Sequence, residues 1–138
     1  MSTKLLDDIE AWLISQNVVN GSTGWTLYKS FMPPDQDQVV VLFETPGGQA
    51  DIIKDFSTGE KPFDMPGLQV RLRGAVNGYS ALQAQADVIF NALHQNEPPK
   101  IVGENYVYIY LKNGNLPMGK DSSNRDEISQ NYSIMRQR

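Results

Sequence analysis

The sequence contains no cysteine. Disulfides and thiol nucleophiles are therefore excluded, and the commonest structural zinc ligand is missing. A single histidine, His94, excludes His-rich metal sites and any catalytic device built on two imidazoles. No apolar run approaches the roughly 18 to 20 residues needed to span a bilayer. The opening Met1-Ser2-Thr3-Lys4-Leu5-Leu6-Asp7-Asp8 turns acidic where a secretory leader would carry an apolar stretch, so the chain is expected to stay in the compartment of its synthesis. Positive charge is not in excess either. Twelve Lys and Arg against 16 Asp and Glu leave a net charge of −4, which argues against broad adhesion to nucleic acid or anionic membranes.

The constellations that catalysis needs are also missing. There is no Gly-rich phosphate loop ending in Lys-Ser/Thr, no nucleophile elbow and no His-bearing metal helix. Pro46-Gly47-Gly48 signals a turn, because no helix clearly starts after it to cradle a phosphate. The run from Asp121 to Glu127 lacks the alternating oxygen ligands and central glycine of a calcium loop. The expectation is a protein that is not an enzyme, with no cofactor and no metal.

What is present suits one globular domain, residues 1–138, with an ordinary apolar fraction of 40%. Leu5, Leu6, Ile9, Trp12 and Leu13 form one helical stripe, with Ser2 or Thr3 as N-cap and Asn17, Asn20 and Gly21 as the stop. Two strands follow. Residues 25–31 put Trp25, Leu27 and Phe31 on one face, and Val39-Val40-Val41-Leu42-Phe43 has the look of a buried strand. Met32-Pro33-Pro34-Asp35 breaks the chain between them, and an antiparallel pair is expected.

Residues 45–67 have no clear period, yet carry Ile52, Ile53, Phe56, Phe63 and Met65. Such a segment either packs back on its own sheet or reaches as an arm to a neighbouring subunit. Residues 68–74 then alternate cleanly, with Leu68, Val70 and Leu72 on one face and Gln69, Arg71 and Arg73 on the other. Asn77-Gly78 turns the chain into a second helix from about Tyr79 to His94, whose core stripe is Leu82, Ala86, Ile89 and Leu93, with Ser80 as N-cap. His94, in its last turn, reads as a cap or surface residue.

Residues 106–111 alternate tyrosines with aliphatics, so both faces of that strand are expected to be covered. A polar loop, residues 112–127, leads to a last strand with Ile128, Tyr132 and Ile134 on one face. The order α-β-β-loop-β-α-β-β predicts an α+β fold, a mainly antiparallel sheet of about four to five strands packed by two helices. Arg71 and Arg73 project together, about 7 Å apart, as alternate strand residues must. They either pair with acidic neighbours in the same chain or meet carboxylates of another subunit.

Pro66-Gly67-Leu68-Gln69-Val70-Arg71-Leu72-Arg73-Gly74, followed by a tyrosine and a helix, resembles the P-x-V-Q-V-R-V-R-G core of the minor capsid and tail-completion proteins of long-tailed bacteriophages. Leu116-Pro117-Met118-Gly119-Lys120-Asp121, Arg125 and residues 129–134 are similar to that family's C-terminal pattern. Lys120 and Ser122-Ser123 stand where that pattern carries an arginine and acidic or glycine residues. The resemblance implies a tail terminator, located in the virion after assembly in the host cytoplasm. It implies a homo-oligomeric ring of six copies that caps the tail tube and meets the head connector, with DNA passing through unbound. The candidate subunit-interface residues are Gln69, Arg71, Arg73, Tyr108, Phe56, Asp121 and Arg125. Two alternatives remain open: a head-completion or tail-tube protein of the same particle, or a small enzyme with a deep pocket.

Overall fold

The first helical stripe folds as expected, and its end shows why. Leu5–Ser15 forms helix α1, burying Leu5, Ile9 and Leu13. Asn17 takes a left-handed conformation (φ 60°), while Val18 N–H bonds Leu13 O and Asn17 N–H bonds Ile14 O, both at 3.0 Å. That pairing satisfies the last carbonyls and turns the chain back, with Val18 buried beside them. The computed structural model describes residues 5–45, 63–94, 106–112 and 114–137. The proposed caps Ser2 and Thr3 and most of the 45–67 segment, Phe56 included, lie outside the described residues.

Among the described residues the sheet has seven strands: β1 (Thr26–Lys29), β2 (Val39–Thr45), β3 (Phe63–Asp64), β4 (Gly67–Val76), β5 (Tyr106–Leu111), β6 (Leu116–Lys120) and β7 (Arg125–Gln137). With helix α2 (Tyr79–Leu93) and α1 they make the expected α+β fold, mostly antiparallel. β7 is its axis. β4 and β3 pair along one edge of it, and β5 and β6 pair in line along the other. β2 continues outward from β4, and β1 ends the sheet.

One face of this sheet is the core. Val40, Leu42, Leu68, Val70, Leu72, Ile109, Ile128, Tyr132 and Ile134 bury there under both helices. α2 presents Leu82, Ala86, Ile89 and Leu93, the stripe read from the sequence. A Cβ on Gly74 would stand 3.3 Å from Leu82 Cβ, so the missing side chain lets α2 settle closely on β4. Trp12 Nε1 donates to Ala92 O and Gln85 Nε2 to Val18 O, both at 2.8 Å, tying the helices to one another. Gln130 is fully buried on the core face and fully used. Its Nε2 donates to Ala86 O and Asn115 Oδ1, and its Oε1 accepts from the Tyr132 hydroxyl, all at 2.8 Å. Burial pushes the Tyr132 phenol well above its ordinary pKa.

Several expectations need correction. β1 runs parallel to β2, not antiparallel. A four-residue strand spans only about 13 Å, so the nine residues 30–38 can double back beside it. Ser30 (φ 61°) and Gln38 (φ 54°) turn the chain at each end of that return. Phe31 consequently faces solvent instead of joining Trp25 and Leu27 in the core. Ser80 is not the N-cap of α2; Gly78 holds that position, with no capping side chain. Residues 112–127 are not all loop, since β6 forms within them and β7 begins at Arg125. His94, by contrast, is the cap that was expected: it is the C-cap of α2, stacked on Phe90, and its Nδ1 accepts Leu111 N–H at 3.1 Å.

Gln130→Leu should lower unfolding free energy by about 1–3 kcal/mol, because it leaves the buried Tyr132 hydroxyl without an acceptor. The double variant with Tyr132→Phe should lose less than the two single losses summed. Urea denaturation of all four chains measures this coupling.

Candidate assembly surface

The face of the sheet away from the helices carries the polar residues flagged by the sequence. Strict alternation places Gln69, Arg71 and Arg73 there, and the register sets each against a polar residue of β7: Gln69 opposite Asn131, Arg71 opposite Ser129, Arg73 opposite Glu127. These three rows do not share one environment.

Arg73 is only 3% exposed and is spent within its own chain. Its Nη2 donates to the carbonyls of Pro33 and Gln36, its Nε donates to Gln36 O at 3.1 Å, and Asp121 Oδ2 lies 3.9 Å from Nε. Arg125 is similarly buried. Its Nη2 donates to Pro34 O at 2.8 Å, its Nη1 meets Asp37 Oδ1 at 3.2 Å, and its Nε meets Asp121 Oδ2 at 2.9 Å. The two guanidinium groups thus hold residues 30–38 against the sheet. Their planar forks suit this task, because each offers five donors to carbonyls outside any strand ladder.

Asp121 organises the hairpin from which Arg125 emerges. Its Oδ1 accepts the N–H groups of Ser123 and Arg125, both at 2.9 Å, while Asn124 (φ 62°) closes the turn. Burial opposes ionisation of this carboxyl. The N–H groups of Arg125 and Ser123, with the Arg125 guanidinium, outweigh it and hold the pKa below the usual aspartate value. Asp121 and Arg125, flagged as interface candidates, are therefore engaged with each other inside the subunit, and Asp121 also approaches Arg73.

Arg71 and Gln69 differ from these. Arg71 is about one-third exposed, and Nη2 meets Glu127 Oε1 at 3.1 Å. Its Nε and the Ser129 Oγ opposite are buried with no hydrogen-bond partner among the described residues. Gln69 Nε2 makes a long 3.4 Å contact to Asn131 Oδ1. Tyr108 lies further along the same face, half-buried, 5.2 Å from the Tyr110 ring. Burial first, then the neighbouring Tyr110, raises its phenol pKa against a hydrogen bond from Ser133. Phe56 lies outside the described residues.

The sequence reading missed Phe31, 58% exposed, and the exposed Leu116 and Met118 of β6. The signal for Phe31 was Pro33-Pro34, whose carbonyls have no ladder and so invite an arginine. Leu116 and Met118 do alternate, but Pro117 and Gly119 mask a strand. Among the described residues no group of three or more His, Cys, Asp or Glu side chains could hold a metal ion, and no helix is long and apolar enough to cross a membrane.

Asp121→Asn should destabilise the chain at neutral pH with a definite pH signature. The folded-state pKa is lowered, so the aspartate contribution is fully present above about pH 4 and is lost as pH falls through the lowered value. The melting-temperature gap between wild type and variant should stay constant above that range and close below it.

Among known protein families, the profile described as Bacteriophage tail terminator protein matches residues 13–138, a span that contains both buried arginines and every strand. No curated protein matches the chain.

Proposed function

The chain belongs to the bacteriophage tail terminator family, and from that premise we propose that it forms a ring, of six copies, on the end of the growing tail tube. Membership makes it a structural protein of phage tail assembly, located in the virion tail. The finer role is that the ring stops tube growth and then presents a surface to the head connector. DNA passes through its lumen without specific binding, and the net charge of −4 suits that passage.

The observation that carries the assembly reading is the half-used polar strip on the sheet face away from the helices. Buried donors and acceptors are nearly always paired in folded proteins. Arg71 Nε and Ser129 Oγ are not, among the described residues, and they sit directly across two adjacent strands. Neither atom is itself open to a docking chain; what the strip offers a neighbouring subunit's acceptors is the exposed third of the Arg71 side chain, with Gln69 and Tyr108 along the same face. Arg73, Asp121 and Arg125 contribute differently, by setting the shape of the loop this face carries.

Two measurements test this division of labour. Arg71→Ala should weaken ring formation, read by sedimentation, while leaving the melting temperature nearly unchanged. Arg73→Ala should lower the melting temperature first, because it strips the carbonyls of Pro33 and Gln36 of their donor. Equal effects of both variants on assembly and melting would remove the distinction. The role itself is tested by electron microscopy of particles from a phage with this gene interrupted. Overlong tails detached from filled heads are expected; tails of normal length beside leaking heads would move the protein to the head side of the joint.

A further inference from the structure

A closed ring of identical chains needs two different surfaces on each copy, one meeting the other around the rotation. The two ends of this sheet differ in kind. At the β1 end two outward-facing backbone groups at the start of the strand are already taken. Asn20 donates its N–H to Trp25 O at 2.6 Å, and its Oδ1 accepts Leu27 N–H at 3.0 Å. A strand added here would find those groups taken. What projects at this end is a side chain. Phe31 stands 58% exposed on the loop that Arg73 and Arg125 clamp, its ring edge-on to Tyr28 at 6.3 Å. A large apolar ring held out on a rigid support has the form of an interface anchor. Asp35, exposed, gives the surface of that loop negative charge, while Asp37, exposed as well, is paired with Arg125.

The opposite end is β5 and β6, which among the described residues pair only with β7. Every residue of β6 is exposed. Tyr110, Leu116 and Met118 are exposed along this edge at 42%, 38% and 52%, an apolar strip of a kind that soluble chains usually cover or interrupt with charge. Exposed Lys112 and Lys120 stand on the same edge, Lys120 half-engaged with Asp126 at 2.9 Å. Anchor and acidic loop at one end thus face an apolar, lysine-flanked edge at the other, matched in polarity and in charge.

We propose that in the ring, on whose existence this inference rests, the Phe31 loop of one copy docks on the β5–β6 edge of the next. The contact is heterologous. Phe31 seats on the neighbouring Leu116 and Met118, and Asp35 approaches Lys112 further along the same edge towards Tyr110.

The test uses the full chain, with Phe31→Asp and Met118→Asp made separately. Both positions are exposed, so both variants should melt close to wild type. Each alone should raise the concentration needed for half-assembly about 30-fold or more, the effect of losing one anchoring contact. An equal mixture should form a two-chain species and nothing larger. The Met118→Asp copy keeps its loop and the Phe31→Asp copy keeps its edge, so one contact forms and no second can follow. Sedimentation velocity reads all three samples. Rings formed by Phe31→Asp as readily as by wild type would overturn the docking surfaces and leave the ring standing. Monomeric variants whose mixture gives no two-chain species would overturn them too. A wild-type chain that stays monomeric at every concentration would overturn the ring and this contact together.

Discussion

The whole arrangement depends on one strand being paired along both edges. β7 runs from Arg125 to Gln137, with β4 and β3 on one side and β5 and β6 on the other. Its backbone groups are thus committed to ladders, which removes any freedom to slide. Because its side chains alternate, the same register sends Ile128, Gln130, Tyr132 and Ile134 under the helices and Glu127, Ser129 and Asn131 to the other face. A slip of one residue would exchange the two sets and bury the polar one. The polar strip exists because the core exists.

The buried arginines are a second consequence. Taking guanidinium groups out of water is costly, and a well-packed apolar replacement of such a network is often no less stable. Arg73 and Arg125 are better understood through what they bind. Between them they satisfy the carbonyls of Pro33, Pro34 and Gln36 and the carboxylates of Asp37 and Asp121. No apolar side chain could direct a proline-rich loop in this way. The result is a single loop conformation, carried by the two strands that form the centre of the sheet, with Phe31 held outside it. Shape at the surface is thereby tied to charge in the interior.

Parts of this were readable from residues alone because they obey a local period. The stripes of α1 and α2 and the alternation of residues 68–74 and 128–134 each repeat several times, so errors average out. Asn17 and Asn77-Gly78 were legible as stops because few residue types adopt a left-handed backbone cheaply. β6 was not, since its two apolar residues are interleaved with Pro117 and Gly119, both of which read as loop. The direction of β1 was hidden for another reason. Its four residues are compatible with either pairing, and the choice lies in arginines forty and more positions away.

The sequence by itself therefore determined the fold class, both helices, the central strands and the face on which the arginines project. Each is a matter of spacing between near neighbours, and spacing survives without a structure. Which arginine is buried and which is left available was decided only by tertiary structure. Arg71 and Arg73 are two residues apart on one strand face, chemically identical and equally placed by alternation. One lies under the returning loop and is saturated by its carbonyls; the other lies beyond the loop's reach and keeps a donor without a partner among the described residues. That difference depends on how far nine residues of loop extend over the sheet, a distance that no periodicity encodes.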